Sequence, residues 1–359
     1  MPPANAPGTS FARPTILIDQ QQYALVTELA LNVEVTEQEG GFSTLELRLS
    51  NVASNPRGSA DLAFDDNTIL KLGGRISVYA GEVRGPAEIF RGVITGLEAE
   101  FSDQQPPELV VLAEDLFQQA RMQRRTKTHT DTTVEKLAQN LARQLGLTPK
   151  VSGFSAPLGT QVQLNESDLA FVRRVLARYD GDMQIVGDEL HVAPRKDVKR
   201  GTVSLRLFEG LHRARITADL AEQVSKVTVA GWDAAQGRRI DAGSTASGLG
   251  PGRGTNGAAA LTQGLPTRNH HVAHLAVSDA AEAKALADAI FAERARRFVR
   301  VEGTAHGNPA LRVGTEVTLE DVGRRYGNQY YVTRCVHRWD VARGYETDFE
   351  AECAYIGVS

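Results

Sequence analysis

The segment Tyr345–Tyr355, read YETDFEAECAY, alternates: Tyr, Thr, Phe, Ala, Cys and Tyr at odd positions, Glu, Asp, Glu and Glu between them until Ala354. A helix cannot use this pattern, because a period of two scatters apolar groups around a 3.6-residue turn. A strand puts Tyr345, Thr347, Phe349, Ala351, Cys353 and Tyr355 on one dry face and the acids on the other. The preceding run YYVTRCVHRWD and the turn at DVARG complete a hairpin. Placing Trp339 opposite Tyr345 sets Cys335 against Phe349, His337 against Thr347, Arg334 against Glu350 and Arg338 against Glu346. Cys335 and Cys353 then sit on one face but about four residues apart, roughly 13 Å along the strand, beyond disulfide reach. His337 points into the apolar face and reads as a core histidine.

The same period recurs through the first third. In TLELRLS, Leu45, Leu47 and Leu49 face one way and Glu46 and Arg48 the other; RISVYAG, EIFRGVITGLEAEF and PELVVLAE follow, with a loop over 51–66. The pattern changes at Gln118, where QQARMQRRTKTHT is basic and poorly patterned and is expected to be a linker or an exposed turn. Thr132 with Glu135 forms a capping box for a helix whose stripe is Val134, Leu137, Ala138, Leu141 and Leu145, ended by Gly146. A second helix, capped by Asn165 or Ser167, carries Leu169, Val172, Val175 or Leu176, and Tyr179, and stops at Gly181. A hairpin turning at Gly187–Asp188 follows. Strands resume after residue 200. The Gly/Ser/Thr/Ala-rich stretch near 243–268 has no period and is expected to be a mobile loop. A third helix capped by Ser278 or Asp279 carries Ala283, Leu286, Ala287, Ile290, Phe291 and Phe298, and strands close the chain.

The expected fold class is therefore β-rich α+β: two tube-like antiparallel barrels with a small α+β insert of two helices and a hairpin between them. The boundaries are an arm over 1–14, a first barrel over 15–120, the insert over 121–199, strands returning to the second barrel over 200–242, the loop over 243–268, and a helix plus second barrel over 269–359.

Composition excludes several functions. A net charge of -4 over 359 residues offers no basic footprint for nucleic acid. Two cysteines cannot make a disulfide framework, and no apolar run reaches a membrane span. Three of eight histidines fall in NHHVAH. His270 and His274 are the candidate metal ligands. Their neighbours read as extended, the helix cap comes later, and no third ligand is evident, so a strand is the preferred reading. Gly252, Gly254 and Gly257 match G-x-G-x-x-G, but no strand and helix frame them as a dinucleotide fold requires. The carboxylate pairs Asp65–Asp66, Glu114–Asp115 and Glu320–Asp321 read as solvated strand ends. No catalytic residue, cofactor or binding residue is assigned, and the chain is not expected to be an enzyme.

The helix and hairpin NESDLAFVRRVLARYDGDMQIVGDELHVAP resemble the phage late control gene D family, the tail hub family related to the hub portion of VgrG-type spike proteins. TVEKLAQNLARQLGL is similar to the helix opening that family's central module. The run from Ala280 to Leu319, with its G-x-P-x-L-x-x-G turn at Gly307–Gly314, is similar to its long helix and last barrel. YYVTRCVHRWDVARGYETDFEAECA resembles its closing hairpin. The likeness spans about 15–357. It implies a homotrimeric, non-enzymatic baseplate hub, needing no cofactor, whose six barrels adapt a six-fold inner tube to a three-fold spike. Implied partners are the inner tube protein, a spike protein, baseplate wedge proteins and the tape-measure protein, with no nucleic-acid specificity and no membrane insertion. VgrG-type chains continue into an OB-fold and a β-helical spike. Since this sequence stops at Ser359, the spike is expected on a separate polypeptide or was cut away. Assembly is expected in the bacterial cytoplasm, as part of a phage tail, tailocin or injection particle. The competing functions are a metal- or carboxylate-dependent cell-wall hydrolase associated with a tail, and a carbohydrate-binding module, which 6% aromatics do not favour.

Overall fold

The computed structural model describes residues 13–54, 60–81, 85–233, 236–245 and 248–357. Most of arm 1–14 lies outside them. Its last residues are anchored: Arg13 donates to the Thr27 carbonyl at 2.9 Å, and Pro14 is buried.

The protein is β-rich, with a 13-stranded sheet at its centre. One half contains strands Thr15–Ile18, Ala30–Gln38, Thr44–Ser50, Arg75–Ala80, Ala87–Glu100 and Glu108–Glu114. The other contains Gly201–Arg206, Leu211–Ala218, Val299–His306, Thr315–Glu320, Gln329–Asp340 and Gly344–Cys353. The halves join where Ala30–Gln38 runs antiparallel to Gln329–Asp340, from Asn32 opposite Asp340 to Gln38 opposite Arg334. Alternation sets the faces. Leu45, Leu47 and Leu49 are buried with Val33 and Val35 in the first core. Val299, Val301, Cys335, Phe349 and Ala351 lie in the second. Trp339 and Tyr345 belong to the first core although they come from the closing hairpin, so the halves share apolar contacts as well as backbone bonds. The hairpin register has Trp339 opposite Tyr345 and Arg334 opposite Glu350, as the alternation requires.

The insert packs helices Val134–Gln144 and Asp168–Ala177 on the hairpin Gly181–Val186/Glu189–Pro194, which turns at Gly187 with φ +59°. Two caps differ from the sequence reading. Thr133, not Thr132, caps the first helix, its Oγ1 accepting from the Lys136 amide at 3.1 Å. Asp180, at φ +50°, turns the chain after the second helix. Gly181 is instead a packing glycine: a Cβ there would lie 2.5 Å from Leu176 Cδ2. The expected linker after Gln118 is also structured. Phe117–Met122 is helical, and Arg124–His129 pairs with Gln161–Ser167. That strand is exposed at nearly every position, so backbone bonds hold it and no apolar period marks it.

Two further corrections concern residues 200–268. Lys226–Asp233 and Arg238–Ser244 leave the second half and form a separate sheet with Asn269–Val272. This small sheet buries its apolar face against helix Ala280–Arg296, with Val227, Val229, Val272, Leu286 and Phe291 in one core. The expected loop contains helix Gly257–Gly264, whose Asn256 Oδ1 accepts from the Ala259 amide at 2.8 Å. Gly252 and Gly254 within that stretch mark close backbone approach, which hydrophobic periodicity does not register. Asp279 caps the long helix, and Glu282 reaches back to the Ser278 amide at 2.8 Å.

Candidate functional site

The parts of the chain meet at two buried ionic clusters. In strand Ala30–Gln38 the inward positions carry Val33 and Val35 and then Glu37, a carboxylate pointing into the core. Its partner comes from the Gly307–Gly314 turn of the other half. Arg312 Nε lies 2.8 Å from Glu37 Oε1, and the Val313 amide donates to Oε2 at 3.3 Å. Arg312 also donates to the Glu88 carbonyl at 2.9 Å. Burial alone would raise the Glu37 carboxyl; the Arg312 charge and hydrogen bonds outweigh it and hold the group below its usual range. His337 is buried beside them, its Nδ1 2.7 Å from the Tyr345 hydroxyl, and burial with the nearby Arg312 charge pushes it down to about 3. It is a core histidine held by hydrogen bonds. Cys335 donates to the Leu311 carbonyl, and burial pushes its thiol well up. Both cysteines are free.

The second cluster joins the first half, the insert and the second half. Arg195 pairs with Glu39 and, at 2.9 Å, with Glu352. Arg296 bonds the same Glu352 at 3.0 Å and Asp180 at 2.8 Å. Arg200 pairs with Asp182. Taking so many charges from water is costly unless each is paired, so the cluster acts as a geometric lock. Sequence reasoning passed over these residues. The available signal was Glu37 itself, a charge continuing an inward-facing register.

A cleft of about 1020 Å³ opens between the insert and helix Ala280–Arg296. Its four carboxylates all have structural partners. Glu282 accepts from Arg178 at 3.2 Å and Tyr179 at 3.1 Å, Asp279 caps the helix, Asp180 holds Arg296, and Asp288 pairs with Lys284. Asp180, Asp279 and Glu282 thereby tie the fold together, while Asp288 sits in an exposed i,i+4 pair.

The other candidates are dispersed. His270 is half-buried in strand Asn269–Val272, opposite Val227, while His271 and His274 are exposed. Burial and the Arg294 charge lower the His270 pKa, and a cation beside it disfavours a metal ion. Among the described residues no group of three His, Cys, Asp or Glu is placed to hold a metal. A helix does follow Gly257, but Gly252 and Gly254 press on the chain's last strands. A Cβ at Gly254 would lie 2.1 Å from the Gly357 carbonyl, so a phosphate has no approach. Asp115 is no solvated strand end. It is buried, accepts from the Ser43 amide at 2.7 Å and the Phe117 amide at 2.9 Å, and burial pushes it up to about 7. Glu114 pairs with Arg121, and Glu320 with Arg206.

Opposite the cores, the outward row of the sheet carries ion pairs interleaved with apolar residues such as Val110, Leu112 and Val336. Arg334 meets Glu350 at 3.3 Å as the register predicts. Arg338 does not take Glu346; it bonds Glu34 at 2.9 Å and Asp348, because the joined strand places Glu34 directly opposite.

This architecture is that of phage tail proteins. It is similar to the 43 kDa tail protein of prophage MuSo2 from Shewanella oneidensis (TM-score 0.69, 13% identity, 94% of this chain and 97% of that one). It is also similar to a tail protein from Neisseria meningitidis (TM-score 0.67, 12% identity, 95% and 97%). An Escherichia coli type VI secretion component, itself described as similar to T4 tail proteins, matches at TM-score 0.59 and 15% identity over 96% and 77%. No curated protein sequence matches. The chain belongs to the Alg8 N-terminal domain family, whose model matches residues 18–340.

Proposed function

We propose that this protein is a structural baseplate hub of a contractile tail or injection particle, a homotrimer that adapts a six-fold inner tube to a three-fold spike. The observation that carries this reading is the tandem of two sheet halves in one chain, fixed side by side by backbone pairing and the Glu37–Arg312 lock. Three copies of a rigid tandem present six similar units, which is what a six-fold partner needs. The motif likeness to the late control gene D family supports the same role. On this reading the partners are the inner tube protein, a spike, wedge proteins and the tape-measure protein, and the chain joins the particle in the bacterial cytoplasm. No described helix is long and apolar enough to cross a membrane.

Light scattering at micromolar concentration and physiological salt is expected to give three times the 38.9 kDa chain mass. Electron-microscopy class averages are expected to show three-fold rings with a central channel. A monomer under these conditions overturns the proposal.

A further inference from the structure

We propose that His212 and His306 form a divalent transition-metal site on the outer face of the second sheet half, with two imidazole ligands from the chain and solvent completing the shell. The ion staples the start of strand Leu211–Ala218 to the end of Val299–His306. The site does not depend on the hub reading, because a single folded chain supplies both ligands.

The two histidines stand 94 positions apart, and the pairing of their strands brings them together. His212 Nε2 lies 3.0 Å from His306 Nδ1, with ring centres 4.1 Å apart and planes inclined at 70°. Two nitrogens bound to one zinc ion at its usual bond length stand about 3.0–3.4 Å apart, for angles between about 90° and 109°. The observed spacing is that of neighbouring ligands of one ion. A hydrogen bond between the rings uses one lone pair and one N–H, whereas a divalent ion takes a lone pair from each ring. Neutral imidazole suits zinc, copper and nickel.

The backbone holds both positions. The register shifts between Leu211 and Arg213, which makes His212 the extra residue of a bulge, with its side chain exposed. The His306 amide donates to the Gly210 carbonyl at 2.9 Å, and the Gly307 amide to the Tyr345 carbonyl at 2.9 Å. The ligand-bearing strand ends are therefore fixed before an ion arrives, which lowers the ordering cost of binding.

The surrounding charge has the right sign. Glu346 stands directly across the ladder from His306, and its charge favours a cation there. Arg338 leaves Glu346 and engages Glu34 and Asp348 instead. Burial and the neighbouring His212 hold His306 below its ordinary range, so near neutral pH its ring keeps a lone pair for a metal. His270 differs in this respect, since its charged neighbour is Arg294.

Calorimetric titration of chelator-treated protein with zinc chloride at neutral pH tests the site. Uptake of about one zinc ion per chain is expected, unchanged in His270→Asn with His274→Asn and at least about tenfold weaker in His212→Asn and in His306→Asn. With copper(II) in place of zinc, electron paramagnetic resonance is expected to report two nitrogen ligands in the wild type and one in either single variant. A wild type that takes up no zinc overturns the site, as does uptake that survives both single substitutions or disappears with His270 and His274. Should a single variant unfold, the wild type decides alone. Zinc is expected to protect His212 and His306 from diethyl pyrocarbonate, read peptide by peptide by mass spectrometry, and equal labelling with and without zinc overturns the assignment.

Discussion

Glu37 and Arg312 stand 275 positions apart and share a buried ion pair, Nε to Oε1 at 2.8 Å. The pair ties the first sheet half to a turn within the second, between strands Val299–His306 and Thr315–Glu320. Removing one partner leaves the other charge buried and unpaired. Glu37→Gln or Arg312→Met is therefore expected to cost about 3–5 kcal/mol in denaturant unfolding. Glu37→Leu combined with Arg312→Met should recover much of that loss. A single-variant loss below about 1 kcal/mol would show that the pair is not the lock.

His337 sets an acid limit. Its folded pKa of about 3 lies below the ordinary histidine value of 6.5, so between these pH values the unfolded chain binds a proton that the folded chain refuses. Its contribution is intact above pH 6.5 and falls with decreasing pH toward 3, by up to about 1.4 kcal/mol per pH unit. In a pH series of melting temperatures, His337→Gln should flatten this acid decline relative to wild type, whatever its absolute cost. An unchanged slope would refute the assignment.

Asp115 has the opposite sign. Its folded pKa of about 7 exceeds the ordinary aspartate value of 3.8, so across this window the folded chain holds the extra proton and stability falls as pH rises. Asp115→Asn removes that slope. Its melting-temperature deficit against wild type should shrink between pH 5 and pH 8, and a deficit constant across the range would count against a buried, protonated Asp115.

Gly254 separates a packed glycine from a phosphate loop. It has φ +120°, and a Cβ would lie 2.1 Å from the Gly357 carbonyl. Gly254→Ala is expected to cost at least about 2 kcal/mol, whereas Gly40→Ala, at φ +64° with open space around it, should cost about 1 kcal/mol. Equal melting temperatures for the two variants would contradict the packing account.

His270→Asn with His274→Asn should leave oligomer mass unchanged and shift stability by no more than about 0.5 kcal/mol. Chelator treatment of the wild type should do nothing. Loss of the oligomer on chelation, with rescue by zinc, would reinstate the histidines as ligands.

The sequence by itself determined the elements whose burial is one-sided. Period-two alternation placed Leu45, Leu47, Leu49, Phe349 and Cys353 inward, and set the closing register from Trp339 opposite Tyr345. The helix stripes and the Gly187–Asp188 hairpin were legible for the same reason, because local geometry repeats at a fixed spacing. Tertiary structure alone decided which distant strands meet. The exposed strand Arg124–His129, the helix at Gly257–Gly264, the departure of Lys226–Asp233 and Arg238–Ser244 into their own sheet and the Arg338–Glu34 pair depend on neighbours remote in the chain. So do Glu37–Arg312 and the cluster around Arg195: a buried charge chooses its partner by proximity in the fold, and periodicity carries no information about that.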